Sequence, residues 1–210
     1  MKFSVTVKYC EPLSDLFLCV VVLCCVGCSL VGEKAGDCTQ TFNAYNWQMR
    51  VGPGTGIRVS IERQEFALIS NNQIVQRYRC STALAGAGNN VDSGKTPLGW
   101  HTIGAKIGGD LSPGAVLKDR QWTGDIWKEG QDARKDLILS RILWLEGAEE
   151  GCNRGGDVDT WSRYIYIHGT NQIDDLGRPA SAGCIRMDPA KVIDLYERIE
   201  LGTPVLITRD

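Results

Sequence analysis

A period of two is what most limits the folds open to this chain. Ile57, Val59 and Ile61 alternate with Arg58, Ser60 and Glu62, so one side of the stretch is apolar and the other polar. Two more short apolar runs follow, Phe66 to Ile69 and Ile74 to Tyr78, on either side of Asn71-Asn72. Asparagine tolerates positive φ, so this spacing predicts a β-hairpin. Leu137 to Leu145 fits both a strand face and a helix stripe; its short length and the Gly147 beyond it favour a strand. Near the C-terminus the signal changes. Asp188 suits a helix cap before Pro189, with Val192, Leu195, Tyr196 and Ile199 on one apolar face. Gly202 and Pro204 stop that helix, and Val205 to Thr208 reads as a closing strand. The sum is a mainly β domain with one or two short helices.

Length and charge narrow the class further. A chain of 210 residues holds one well-buried domain with some to spare. Its formal net charge is −2 and its basic residues are scattered, which excludes a nucleic-acid footprint. The cysteines are uneven: Cys10, Cys19, Cys24, Cys25 and Cys28 crowd the N-terminus, and only Cys38, Cys80, Cys152 and Cys184 lie downstream. That spread is not a disulfide framework, although it leaves room for one bridge among Cys38, Cys80 and Cys152. The downstream cysteines also lack zinc-like spacing, so they do not point to a metal site.

Leu16 to Val26 is an unbroken apolar run preceded by Lys2 and Lys8. It suits a signal-peptide core and falls short of the roughly 20 residues of a bilayer-spanning helix. Gly27-Cys28 directly after it resembles the lipobox of bacterial lipoproteins, in which the cysteine is acylated and becomes the new N-terminus. Cys25 stands where that motif usually has Leu. An ordinary cleaved signal and an uncleaved anchor are the alternatives. In each case residues 1–28 point to export to the cell envelope or periplasm, with the membrane reached only through this segment. Residues 29–56, rich in Gly, Asn and Thr, read as a linker. Trp47, Met49 and Val51 are candidates to pack on the domain as a short strand, and residues 57–210 form the domain itself.

The chemistry concentrates between Tyr164 and Met187. Tyr164, Tyr166 and His168 share one face of an alternating run, which places His168 at the end of a strand. A turn-rich loop leads to Cys184, with Gly183 before it and Arg186 shortly after. A thiol nucleophile needs a base, and the chain has only two histidines, His101 and His168. His101 lies in a turn region without a nearby cysteine. Glycine at 183 lets backbone approach a substrate, amide N–H groups around Cys184 suit an oxyanion, and Arg186 suits a carboxylate. Taken singly, a cysteine is most often a small buried hydrophobe and an arginine a solvated surface group. Their order and clustering are what point to catalysis.

These residues resemble the L,D-transpeptidase catalytic domain (YkuD-like). That family reads His-Gly, a loop, then Ser-x-Gly-Cys-x-Arg; here it stands as His168-Gly169 and Ser181-Ala182-Gly183-Cys184-Ile185-Arg186. Thr96-Pro97-Leu98-Gly99 is similar to the family's Thr-Pro-x-Gly turn, and the likeness runs from about Ile57 to Arg209. Ala182 departs from it, since many members have a second histidine there. The resemblance implies a β-sandwich or barrel-like catalytic fold. It implies Cys184 as nucleophile, His168 as base, the Gly169 carbonyl as orienter of that base, and N–H groups of Gly183 and Cys184 at the oxyanion. Arg186 and Ser181 would support substrate and site. The substrate implied is a peptidoglycan stem tetrapeptide, acylated at diaminopimelate with release of D-Ala. The acceptor would be a second stem or a lysine of an envelope protein. Segment Gly104 to Arg154, longer than in a minimal member, would form a lid or a substrate wall.

Rival readings are separable. Papain-like peptidases place Cys before His, and sortases need a Thr-Leu-x-Thr strand that is absent. An L,D-carboxypeptidase on the same fold differs only in giving the acyl group to water. A non-catalytic wall-binding protein would not need His168, Cys184 and Arg186 together. Lipid attachment has its own test: labelled palmitate is expected to enter the wild-type protein and not Cys28→Ala, and equal labelling of the two would exclude Cys28 as the site.

Overall fold

The computed structural model describes residues 44–131 and 134–210. Cys28, the signal segment and most of the linker lie outside them. The hairpin at Asn71-Asn72 is present. It joins β2 (Glu65–Ser70) to β3 (Gln73–Arg79), with φ of 51° and 59° at the two asparagines, the pair of left-handed residues that a two-residue turn of this hand requires. β1 (Thr55–Ser60) pairs antiparallel with β2 and parallel with β10 (Pro204–Thr208). β10 continues into β4 (Gly99–Ile107), and β4 into β7 (Ile138–Gly147). The strand at Leu137 to Leu145 is therefore real, as is the closing strand. α2 (Pro189–Arg198) begins where the sequence marks it, with the Asp188 carboxylate accepting from the N–H groups of Ala190 and Lys191. It ends four residues short of Gly202.

β7 is the pivot. One edge carries β8 (Tyr166–Thr170). The other carries β4 beside its later half and β5 (Ala115–Lys118) beside its start. β6 (Gln121–Ile126) extends β5 as a hairpin, and β9 (Ile185–Met187) extends β8 in parallel. Between Leu139 and Ile142 the register of β7 against β8 shifts, and Ser140 has a φ of 67°. A bulge of this kind bends a strand and re-aims its neighbours.

Alternation decides what each face buries. Ile57, Val59, Phe66, Leu68, Val205 and Ile207 join Ile167, Ile185, Met187 and helix residues Val192, Leu195 and Ile199 in the main core. The opposite faces of β2 and β10 present Ala67, Ile69 and Leu206, which Trp100 and Trp47 cover.

Trp47 overturns one expectation. Residues Ala44–Val51 are a helix, α1, and not a strand or a tether. Trp47 is 3% exposed and lies against Trp100 with ring centroids 5.7 Å apart, while Met49 is 70% exposed. A helical turn separates these two residues to different sides, which an alternating reading puts together. Gly56 makes the contact close, since a Cβ there would come within 2.9 Å of the Trp47 ring. Trp47→Ala is expected to destabilise the domain by about 3 kcal/mol in urea unfolding. A tether would show no change.

Candidate active site

β8 and β9 carry the site. Their parallel register sets Ile167 beside Ile185 and His168 beside Arg186, so Cys184, one residue ahead of β9, comes beside Tyr166. The Tyr166 N–H donates to Cys184 Sγ at 3.4 Å. Residues paired in register point the same way, and Tyr166 and His168 share a face, so thiol and imidazole are diagonal neighbours on one surface. The histidine is not at a strand's end, as the alternation of Tyr164, Tyr166 and His168 suggests. β8 starts only at Tyr166, and Tyr164, with a φ of 56°, belongs to the turn before it.

His168 is buried, and its Nδ1–H donates to the Gly169 carbonyl at 2.8 Å. A carbonyl can only accept, so the proton is on Nδ1 and Nε2 keeps its lone pair. Gly169 is glycine for lack of room. A Cβ there would stand 2.6 Å from the Leu139 carbonyl and 3.0 Å from Pro189 Cα, wedged between β7 and the start of α2. His101 makes the same kind of contact elsewhere, to Gly99 O and Thr160 Oγ1, fully inside the core. Burial pushes it down to about 4, and it is a structural histidine.

Cys184 is partly exposed and free, packed against the cluster of Leu117, Ile142 and Tyr166, which Trp144 also flanks. Its Sγ–H donates to the Tyr164 carbonyl at 3.5 Å. Among the described residues no hydrogen bond joins Sγ to His168. Burial pushes the thiol up to about 11, with Asp136 adding to the shift and the Tyr166 N–H and Arg186 opposing it. Burial likewise lowers His168, against the pull of Gly169 O and Asp136. Both groups are therefore neutral at pH 7. The other described cysteines are separate from the site. Cys80 is buried and free and held up at about 12 by burial, whereas Cys152 is disulfide-bonded, so Cys80 is not its partner.

The residues before the thiol form a locked turn. Thr96 Oγ1 donates to the Gly183 carbonyl at 2.9 Å and accepts from the Ala83 N–H. Ser181 Oγ accepts from the Gly183 N–H at 3.2 Å and donates to the Cys184 carbonyl at 2.6 Å. Gly183 itself has a φ of 137°, open to glycine and poorly to other residues. Two expectations change here. The Gly183 N–H is spent on Ser181, which leaves the N–H of Cys184, in the peptide that Thr96 fixes, as the backbone donor for an oxyanion. Arg186, assigned to a substrate carboxylate, is 4% exposed and holds the chain's own Asp136 at 2.5 Å and Gln172 at 2.8 Å. Its guanidinium sits beside His168 and is closed to a ligand.

Some neighbours carry no sequence signal. Asp136 and Gln172 lie on separate loops, and Arg120 comes from the tip of the β5–β6 hairpin. Thr96 and Tyr166 are different, since both stand in stretches that the sequence singles out. No group of three or more metal-ligating side chains occurs among the described residues. A cavity of about 570 Å³ is lined by Trp127, Gln131, Gln172, Asp174 and Arg178, and Cys184 is not in its wall.

Comparison with known proteins gives the family. The family model described as the L,D-transpeptidase catalytic domain matches residues 54–207. A putative L,D-transpeptidase of Bacillus subtilis, YqjB, is 47% identical over 51 residues, which are 24% of this chain and 29% of that protein. The chain thus matches less than a third of that curated relative's length. Among solved structures, an L,D-transpeptidase from Mycobacterium smegmatis is 17% identical with a TM-score of 0.43, over 74% of this chain and 59% of that one. L,D-transpeptidase 3 from Mycobacterium tuberculosis, in complex with a faropenem-derived adduct, is 15% identical with a TM-score of 0.46, over 75% and 61%.

A neutral resting thiol has a measurable consequence. The rate of Cys184 alkylation by iodoacetamide is expected to keep rising above the usual thiol value of about 8.5, toward about 11. A plateau reached in mild acid would mean a thiolate–imidazolium pair instead.

Proposed function

Because this chain belongs to the L,D-transpeptidase catalytic domain family, we propose that it transfers peptidoglycan stem peptides through a thioester on Cys184. The observation that carries this reading is the register of β8 with β9, which brings Cys184, just ahead of β9, diagonal to His168, with Nδ1 tied to Gly169 and Nε2 left as base. A buried, neutral pair suits general-base attack, in which the proton leaves sulfur as the new bond forms.

The first half-reaction starts with rotation of the thiol away from Tyr164 O toward His168 Nε2. Sγ attacks the diaminopimelate carbonyl at position three of a stem tetrapeptide, and His168 takes the thiol proton. Charge develops on the carbonyl oxygen, where the Cys184 N–H is aimed by a peptide that Thr96 and Ser181 hold still. Collapse breaks the C–N bond, and His168 returns the proton to the departing D-Ala nitrogen. The second half-reaction runs the same steps backwards with an amine, drawn from another stem or from a lysine of an envelope protein. Arg186 and Asp136 act on His168 as a fixed charge pair and keep its neighbour Gln172 in place. No cofactor takes part. Export through residues 1–28, with lipid attachment at Cys28, would put the thiol on the side of the membrane where this substrate lies.

Incubation of the protein with purified muropeptides, followed by mass identification, tests the reading. Cross-linked dimers joined between two diaminopimelate residues are expected, together with released D-Ala. Tripeptide without dimers would assign hydrolysis instead. Cys184→Ala is expected to abolish both products while the unfolding curve stays that of the wild type; turnover surviving in that variant would remove the nucleophile.

A further inference from the structure

With Arg186 sealed against Asp136, the site needs another cation if a substrate carboxylate is to be recognised near the thiol. Arg120 occupies that position. It stands at the tip of the β5–β6 hairpin, where Asp119 and Arg120 have φ of 50° and 67°. That turn points the side chain back over the site. The guanidinium carbon lies 5.1 Å from the centre of the Trp144 ring and 4.9 Å from that of Tyr164, and Nη1 donates to Tyr166 Oη at 3.2 Å. Trp144 is itself braced by stacking on Trp161, with ring centroids 3.8 Å apart.

These rings belong to the residues that frame Cys184. Tyr166 gives its N–H to Sγ, Tyr164 accepts the Sγ proton on its carbonyl, and Trp144 packs with Cys184 in the same apolar cluster. Sγ meets Tyr166 at its backbone and Arg120 meets it at its phenol oxygen, so nucleophile and cation stand about one tyrosine side chain apart.

An arginine laid on aromatic rings is often only packing. Two features set this one apart. Among the described residues no carboxylate is in salt-bridge contact with Arg120; Arg50 and Arg141 also lie over rings without an ion pair, but their rings are Trp100 and Tyr196, whereas Arg120 meets Tyr164 and Tyr166, the two residues that hydrogen-bond Cys184 Sγ. The aromatic faces also fix the guanidinium while leaving most of its edge donors unused, which is how a fork is kept ready for a carboxylate.

We propose that Arg120 is a substrate-binding residue that receives a carboxylate of the acyl donor when the scissile carbonyl sits at Cys184 Sγ. This deepens the reading given under Proposed function and rests on it. The two residues that flank the scissile bond offer two such groups: the terminal carboxylate of the leaving D-Ala, one residue beyond the scissile carbonyl, and the free carboxylate at the far end of diaminopimelate. The first would be recognised only during acylation, and the second through both half-reactions. In either case the β5–β6 hairpin acts as the specificity wall of the site.

The test uses Arg120→Asn, which removes the charge while suiting the left-handed turn, and Arg120→Lys, which keeps the charge without the fork. Each full-length protein is given the tetrapeptide, its C-terminal carboxamide, and the tetrapeptide amidated on diaminopimelate. For the wild type, amidating the recognised carboxylate is expected to lower kcat/KM by about tenfold or more. In Arg120→Asn the acid peptide falls to the level of that amide, so the preference disappears, and Arg120→Lys restores part of it. The amide to which this happens identifies which carboxylate is bound. If the wild type and Arg120→Asn discriminate equally against both amides, the proposal is wrong. A second readout needs no turnover: the ratio of iodoacetate to iodoacetamide alkylation at Cys184, followed by peptide mass. It is expected to fall by about threefold in Arg120→Asn. Should the wild type turn over none of the peptides, the proposed function fails, and this ratio alone decides for Arg120, an unchanged value overturning it.

Discussion

Parallel pairing of β8 with β9 is the contact on which the site depends. It sets His168 opposite Arg186 and leaves Cys184 just outside the ladder, where the Tyr166 N–H meets its sulfur. Parallel strands cannot be joined by a tight turn and need a long crossover. Here the crossover runs through residues 171–184 and does structural work of its own. Gln172 reaches Arg186, and Asn171 accepts the N–H of Leu137 and donates to Lys135 O, which ties down the strand that flanks the site. The pairing also demands a narrow gap. Gly169 fits between the Leu139 carbonyl and the first turn of α2 with no space for a methyl group. The β7 bulge at Ser140 lies in the same place, so the strand that orients the base is itself shaped by a deliberate irregularity.

Electrostatics in this pocket favour a quiet resting state. Removal from water raises the thiol and lowers the imidazole, and the nearest full charges, Arg186 and Asp136, largely oppose one another. The same dry surroundings strengthen any charge–dipole contact made once substrate has closed the site. A neutral thiol is also less open to stray oxidation than a thiolate. Under the proposed function, reactivity would be tied to the arrival of a carbonyl and to rotation of the sulfur, and less to a permanently charged nucleophile.

The division of labour among arginines follows from burial. Arg186 is inside, with its terminal nitrogens held by Asp136 and Gln172, and it lies opposite His168 in the ladder. Arg163 is half-buried and binds the carbonyls of Gly88, Asn89 and Lys95, which holds the loop that leads to Thr96. Arg120 is set on aromatic rings at the mouth of the site. Three residues of one type stand in three settings because their solvation and their partners differ.

Much of this was legible in the chain. Period-two runs, the Asn71-Asn72 turn and the Asp188-Pro189 helix start are local signals, and local sterics and hydrogen bonding suffice to produce them. The motif from His168 to Arg186 was equally plain, since its order and glycines report chemistry directly. What the sequence could not determine is what each side chain would touch. Trp47 reads as linker because a single short helix turn has little period to detect, and only the Ala67, Ile69 and Leu206 surface gives it a place. Arg186 looks like a carboxylate binder because its partner Asp136 is distant in sequence. Arg120 has no local signal at all, and it becomes a candidate only when the hairpin folds over Tyr164 and Tyr166. The sequence by itself determined the strands, the helix start and the motif that marks the family, since these depend on neighbours a few positions away. The tertiary structure alone decided which groups are buried and which charges are already paired, because those depend on residues that only the sheet brings together.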